Sequence, residues 1–400
     1  MPIELSDIGQ RGTLLIGTSQ SLDAVLAESV NSGGLAGVVA GVWSSDNSYI
    51  GAFGEAAPGV PMAVDTVLWI ASFTKAVTAT AAMQLVERGA ITLDEPVGPI
   101  VDYLQTVQVL DGFDDDGTPR LRAPVRPITL RHLLTHTAGF GYDFADATLT
   151  TFAGGQPVPA PGSIASYQWP LLFDPGDRWN YGINIDWCGQ VVEALTGHHL
   201  DAVLAQEIFA PLGMVDTGFV RTAAQQQRAA TIHLRTEVPG RGGLVPIPFE
   251  LPENPEFVMG GGGLYSTVPD YLRFTRMLLG GGTLDGVQVL APETVDLMSR
   301  NHIEGMTVAG WTSSNALYTN DVDLGRDGPQ GWGLSFLTNL NDSAQGRSAG
   351  SLAWAGLANT YYWVDRGRGT TGVFATQVLP FFDPIALKTF RAFESAVNGI

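Results

Sequence analysis

Ser72 and Lys75 stand three residues apart at the head of an apolar run, Trp69-Ile70-Ala71-Ser72-Phe73-Thr74-Lys75, that continues to Gly89. Residues 76–88 carry Val77, Ala81 and Leu85 at four-residue steps without a proline, which predicts a largely buried helix. Side chains three apart share one helix face, so a hydroxyl and an amine would meet there. A helix start also leaves backbone N–H groups without partners, and its dipole favours negative charge. Both help a serine lose its proton and help hold an oxyanion, which is the chemistry of a serine nucleophile with a lysine partner. A capping serine followed by a solvated lysine would read the same. The lysine usage argues for chemistry: Lys75 and Lys388 are the chain's two lysines, and arginine supplies the remaining positive charge. A buried lysine can change its protonation state, whereas arginine practically cannot.

A second serine competes. Gly346-Arg347-Ser348-Ala349-Gly350 matches the Gly-x-Ser-x-Gly turn of the α/β-hydrolases, a fold whose acid and histidine must follow the serine in chain order. The last histidine is His302, and strands rather than a helix follow Ser348, so this match reads as a glycine-rich turn. His132 and His136 have ligand spacing on a short helix predicted over 129–136, with Thr129 as its cap. No carboxylate stands near them in a metalloprotease arrangement, so they read as structural, and neither metal nor cofactor is expected. The run Gly260 to Gly263 is followed by neither a lysine nor an immediate helix. Close backbone approach in the core or beneath a pocket suits it better than a phosphate cradle.

These residues need a scaffold. A helix over 21–32, strands over 35–43 and 49–53, and the Ser72 helix account for the first ninety residues. A short helix over 97–103, an acidic loop over 111–117 and helices over 184–196, 200–209 and 269–279 follow. Residues 139–175 read as a long loop rich in Gly, Pro and aromatics, of the kind that rims a pocket. Strands are expected over 332–337 and within 353–379, and a helix over 384–397 closes the chain. Strands at both ends with helices between predict an α/β (α+β) architecture: an antiparallel sheet flanked by helices, with a mainly helical insertion. The expected division is residues 1–90 with 255–400 as the sheet domain, and 91–254 as the helical domain.

Four hundred residues of ordinary apolar content, 15% charged, suit a compact protein of that size. A net charge of -19 argues against nucleic acid or an anionic membrane surface as partner. No stretch is apolar and long enough to span a bilayer, and the first seventeen residues lack a signal-peptide pattern, so a cytoplasmic setting is expected. Cys188, the single cysteine, excludes an intramolecular disulfide and is expected to be a buried structural thiol.

Three segments taken together resemble one superfamily: Ser72-Phe73-Thr74-Lys75, His132-Leu133-Leu134-Thr135-His136-Thr137-Ala138-Gly139, and Asp174-Pro175-Gly176-Asp177-Arg178-Trp179-Asn180-Tyr181. That superfamily is the serine β-lactamases and penicillin-recognising proteins, and within it the family VIII carboxylesterases, which share the class C β-lactamase fold. The resemblance runs from roughly residue 36 to 380. It implies a β-lactamase/transpeptidase-like fold and an acyl-enzyme hydrolase with Ser72 as nucleophile, Lys75 as its helper and Tyr181 as general base. The class C Tyr-x-Asn motif here reads Tyr181-Gly182-Ile183, without the asparagine. The one literal Tyr-x-Asn, Tyr318-Thr319-Asn320, lies too near the C-terminal strands and reads as a loop. Where the superfamily expects Lys-Thr-Gly, this chain resembles the esterases in having Trp354-Ala355-Gly356. An indole there offers stacking surface instead of a cation for a carboxylate, which favours a neutral ester over an anionic amide. By the same analogy the Leu357 and Ser72 N–H groups form the oxyanion hole, and Trp354 and Gly356 contact substrate. Phe140 and Tyr142, on the long loop, are expected to line the pocket with Trp354. The expected partner is a small-molecule ester. A β-lactamase, DD-peptidase, amide hydrolase or acyltransferase on the same fold is the alternative, and a non-catalytic binding protein a more distant one.

Overall fold

The computed structural model describes residues 19–236, 243–252 and 254–400. Helix α1 (Ser19–Asn31) leads into an antiparallel ribbon of strands β1 (Gly37–Ser44), β2 (Ser48–Ala57) and β3 (Val60–Pro61). A short strand β4 (Leu68–Trp69) then delivers the chain into helix α2 (Thr74–Glu87). The other half of the sheet comes from the far end of the chain: β5 (Gln330–Trp332), β6 (Leu337–Asn339), β7 (Leu352–Gly356), β8 (Thr360–Asp365) and β9 (Thr370–Ala375). The order is β5-β6-β7-β8-β9-β1-β2-β3, so the seam between the two ends of the sequence is the β9–β1 pair, registered Val39 to Ala375 through Ser44 to Thr370.

Both faces of this sheet are covered, which explains why its central strands are apolar without strict alternation. Val38, Ala40 and Val42 on β1, with Trp363 on β8 and Phe374 on β9, pack beneath α1 and the C-terminal helix (Pro384–Asn398), meeting Leu22, Leu26, Phe390 and Phe393. Each such large side chain contributes about 1.5–3 kcal/mol on burial. The opposite face, with Val39, Tyr362, Val364 and Val373, packs on the helix Val268–Leu279 and on α2. Trp363 lies flat over Gly372, its cross-strand partner; a Cβ at 372 would come within 2.0 Å of the indole.

Helix α2 is buried all round from Thr74 to Leu85, as befits a helix at the centre of a domain. Two of its threonines are reconciled with the interior by backbone carbonyls, one distant in sequence and one local: Thr78 Oγ1 donates to Gly260 O at 2.7 Å and Thr80 Oγ1 to Ala76 O at 2.9 Å. Against it packs helix α3 (Asn184–Thr196), ended by Gly197 in the left-handed region, φ 71°. Cys188 on α3 is fully buried, and burial pushes its thiol up to about 12.

Several boundaries differ from the sequence reading. The helix expected over 97–103 forms only from Asp102 to Thr106, because Pro99 disfavours helical backbone at Gly98 and the chain turns there instead. The acidic stretch is the tip of a hairpin, Val109–Phe113 paired with Pro119–Arg122, closed by Asp114 N–H to Thr118 O at 2.8 Å. The long loop holds a helix, Ala147–Gly154, capped by Asp146. Of the strand expected over 332–337, only Trp332 and Leu337 are strand residues; 333–336 are the turn between β5 and β6, with Ser335 at φ 75°. A further hairpin, Ile232–Thr236 with Gly243–Ile247, pairs in parallel with Val378–Leu379. No helix among the described residues is long and apolar enough to cross a membrane.

Candidate active site

The turn that carries Ser72 is pinned from several sides. Gln377 clamps the backbone of Trp69, its Oε1 accepting from Trp69 N at 3.0 Å and its Nε2 donating to Trp69 O at 3.0 Å. Ile70 N–H donates to Leu264 O at 3.1 Å. Ala71 then takes φ 44°, a left-handed conformation that costs a non-glycine residue free energy and persists only where surroundings enforce it. Ser72 follows within a single 3₁₀ turn, Ala71–Phe73, just before α2 begins. The helix therefore starts two residues earlier than expected, and Lys75 lies in its first turn.

Lys75 is fully buried, and its Nζ donates to three oxygens: Gly261 O at 2.6 Å, Tyr142 OH at 2.9 Å and Ser72 Oγ at 3.1 Å. Three acceptors match the three donors of an ammonium. The same geometry serves a neutral amine that takes the serine proton on its lone pair while donating to the other two. Nζ also lies 4.9 Å from the ring centre of Tyr181 and 5.3 Å from that of Tyr142.

Tyr181 is held in an aromatic box. Trp311 stacks on it at 5.4 Å, Trp354 tilts against it at 4.8 Å, and His136 lies 4.9 Å away. The Trp354 indole N–H donates to Tyr181 OH at 3.1 Å, so the phenol's own proton is left to face other acceptors. Trp354 thus does more than the stacking foreseen for it. His136 supports the segment behind: its Nδ1 meets Asn184 Nδ2 at 2.9 Å, and its O accepts from Asn180 N–H. Burial, with the Lys75 charge a smaller cause, holds the His136 imidazole well below its usual range. His132 completes a capping box with Thr129, so each histidine of the pair has a structural partner set.

Gly356 brings the end of β7 against the nucleophile turn. A Cβ there would lie 2.4 Å from Ile70 O, which only glycine avoids, and Leu357 follows at the cavity wall. The cavity has a volume of about 230 Å³; its floor includes Ser72, Tyr181 and Gly261. Trp69, Phe249, Leu251, Met259, Trp311, Trp354, Leu357 and Phe381 line the walls, with Tyr142, Phe144 and Tyr318. None of these lining residues carries a charge.

The structure brings Ser72, Lys75, Tyr181, Tyr142, Trp354, Gly356 and Leu357 together at this cavity or directly beneath it. Phe140 is the correction. It is fully buried and does not line the cavity; Gly139, at φ 106°, turns the chain so that its ring packs toward Trp187, 6.3 Å away. The sequence reading missed four contributors. Phe144 and Tyr318 stack on each other at 6.0 Å in the cavity lining, Trp311 covers Tyr181, and Gly261 holds Lys75. The glycine run did signal close approach under a pocket, but a solitary tryptophan or tyrosine in a loop carries no pattern that identifies a lining position. Ser348, by contrast, donates its hydroxyl to Asp365 in a turn before β7.

The sequence matches the Beta-lactamase family over residues 22–394. It is 34% identical over 330 residues to the lovastatin esterase of Penicillium rubens, spanning 80% of this chain and 82% of that protein. Identity is also 34%, over 349 residues, to monacolin J acid methylbutanoyltransferase of Aspergillus terreus, with 84% and 83% covered. The structure of simvastatin synthase (LovD) from Aspergillus terreus superposes with a TM-score of 0.82 at 29% identity, covering 94% of this chain and 97% of the other.

Proposed function

The chain belongs to the Beta-lactamase family, and from that premise we propose that it is a serine carboxylesterase that works through an acyl-enzyme on Ser72. The observation that carries the reading is the Lys75 amine, 3.1 Å from a serine hydroxyl at the floor of a cavity lined by uncharged residues. Ser72 Oγ attacks the ester carbonyl carbon as its proton passes to the Lys75–Tyr181 pair. The tetrahedral oxyanion is met by the Ser72 and Leu357 N–H groups. Collapse breaks the bond to the alcohol, which leaves with a proton from Tyr181. Water, deprotonated at Tyr181, then releases the acid and restores Ser72. A positioned base contributes roughly 10²–10⁴ in rate and an oxyanion donor roughly 10²–10³.

The cavity chemistry supports a neutral, apolar ester over a β-lactam or a peptide. Those amides bring a carboxylate, and the lining offers it neither lysine, arginine nor histidine. Desolvating that anion without a partner would cost several kcal/mol, on the order of 10²–10³ or more in binding. Acyl transfer is the second reading, supported by the aromatic walls, which suit an apolar alcohol as well as water, and by the transferase relative. Turnover of a short-chain p-nitrophenyl ester is expected to exceed that of a chromogenic cephalosporin by at least about 10²-fold. The reverse order would overturn the esterase reading. Adding a competing apolar alcohol and measuring new ester against free acid divides hydrolysis from transfer.

A further inference from the structure

Asp186 lies five residues beyond Tyr181, in the first turn of α3, and is 1% exposed. A carboxylate this deep is costly unless it is hydrogen-bonded and balanced by charge. Its Oδ1 accepts from Gly261 N–H at 2.9 Å, and the carbonyl of the same glycine accepts from Lys75 Nζ at 2.6 Å. One residue therefore connects carboxylate to amine, with an N–H toward one and a C=O toward the other. The fit is tight: a Cβ at 261 would lie 2.2 Å from Asp186 Oδ2. The start of α3 adds a dipole that favours the anion.

We infer that Asp186 is a positioning residue for acylation: through the N–H and C=O of Gly261 it aims the Lys75 amine at Ser72. The inference rests on the reading of Ser72 as the acylated nucleophile. Lys75 faces Asp186 from α2, Tyr142 from the loop after His136, and Tyr167 from the turn 164–167, while Tyr181 and His136 adjoin Lys75. Burial raises the Asp186 carboxyl, and the Lys75 charge and the Gly261 N–H oppose it. Burial first and the Asp186 charge second raise the Tyr142 and Tyr167 phenols, so both stay neutral around the amine.

Asp186→Asn keeps the size and an oxygen for Gly261 N–H but removes the charge. It is expected to lower kcat on a p-nitrophenyl ester about 10–100-fold, as loss of an outer partner of a reactive group does, with KM little changed. The acid limb of the pH profile is expected to move, because an ionisable group beside the reacting site has been removed. Asp186→Glu, which keeps the charge, should return that limb toward the wild-type position. The two lysines permit a readout independent of turnover: ε-¹³C-lysine labelling gives one signal for Lys75 and one for Lys388, which is exposed. The Lys75 signal should change its pH dependence in the Asn variant while Lys388 does not. Unmoved Lys75 signal and pH profile in a folded Asn variant would overturn the inference. If that variant does not fold, the coupling can be read in reverse, since linkage is reciprocal. The assigned Asp186 carboxyl signal should titrate at higher pH in Lys75→Met than in wild type, and an unchanged titration would equally overturn it. Ester hydrolysis retained by Ser72→Ala would instead remove the parent reading, leaving the lysine signals as a separate result.

Discussion

Two serines in this chain sit in sequence motifs associated with nucleophiles, and their surroundings differ in every respect that matters. Ser72 stands at a helix start, on the floor of a cavity, with an amine as hydrogen-bond partner. Ser348 sits in a turn at the end of the sheet, donating its hydroxyl to Asp365, which also accepts from Ser348 N–H at 2.7 Å and Arg368 N–H at 2.9 Å. A lysine amine can take a proton and return it. A carboxylate fully engaged with backbone N–H groups holds a hydroxyl in place and does little else. Ser348 is not among the residues that line the site cavity. The letters Gly-x-Ser-x-Gly describe a tight turn; the neighbours decide whether the turn is a nucleophile or a corner.

The strongest way to break this contrast is to remove each hydroxyl in turn. Ser72→Ala is expected to reduce ester turnover by about 10⁴–10⁶-fold with the fold intact, as judged by circular dichroism and the thermal transition. Labelling by a fluorophosphonate should vanish in parallel. Tyr181→Phe comes next, at roughly 10²–10⁴-fold in kcat, because the ring and its aromatic box remain while the proton carrier is lost. If Tyr181→Phe kept near-normal kcat, the base would have to be sought at Tyr142, the phenol that hydrogen-bonds Lys75 directly at 2.9 Å.

Much of this contrast was legible before any coordinates. The periodicity after Lys75, the scarcity of lysine and the missing histidine after Ser348 are all local or countable, so they survive without a fold. The bounds of α3 were readable to the residue because Gly197 ends the apolar pattern. Other features depend on tertiary structure. Phe140 and Tyr142 are two residues apart in one aromatic loop, yet one ring is buried against Trp187 and the other reaches Lys75. The positive φ of Gly139 contributes to that split, and no spacing rule predicts its direction. Asp186 is hidden for a similar reason. An acid early in a helix ordinarily reads as a dipole partner at the surface, and only the packing of Gly260 to Gly263 against α3 turns it into a buried neighbour of the amine.

Trp354 sharpens the comparison from the side of the base. An indole stands where the superfamily resemblance leads one to expect a cation, and stacking was its expected use. The structure adds the N–H that donates to Tyr181 OH. Trp354→Phe keeps most of the ring and removes the donor, so the loss should fall on kcat, by about 2–13-fold for one neutral hydrogen bond. A rise in KM alone, with kcat preserved, would return Trp354 to the role of a simple wall.

The smallest effect is expected at the second serine, and it is the sharpest test of the reasoning. In Ser348→Ala, Asp365 keeps the N–H groups of residues 348 and 368 as donors, so the buried carboxylate is not left bare. The net loss is one hydroxyl hydrogen bond, about 0.5–1.5 kcal/mol of stability. That corresponds to a fall in Tm of a few degrees at most, roughly 2–4 °C per kcal/mol for chains somewhat smaller than this one. Ester turnover and fluorophosphonate labelling should both match wild type. Lost activity in a variant that still melts cooperatively near the wild-type temperature would mean that the carboxylate-bound serine takes part in catalysis, and the distinction between nucleophile and corner would have to be drawn the other way.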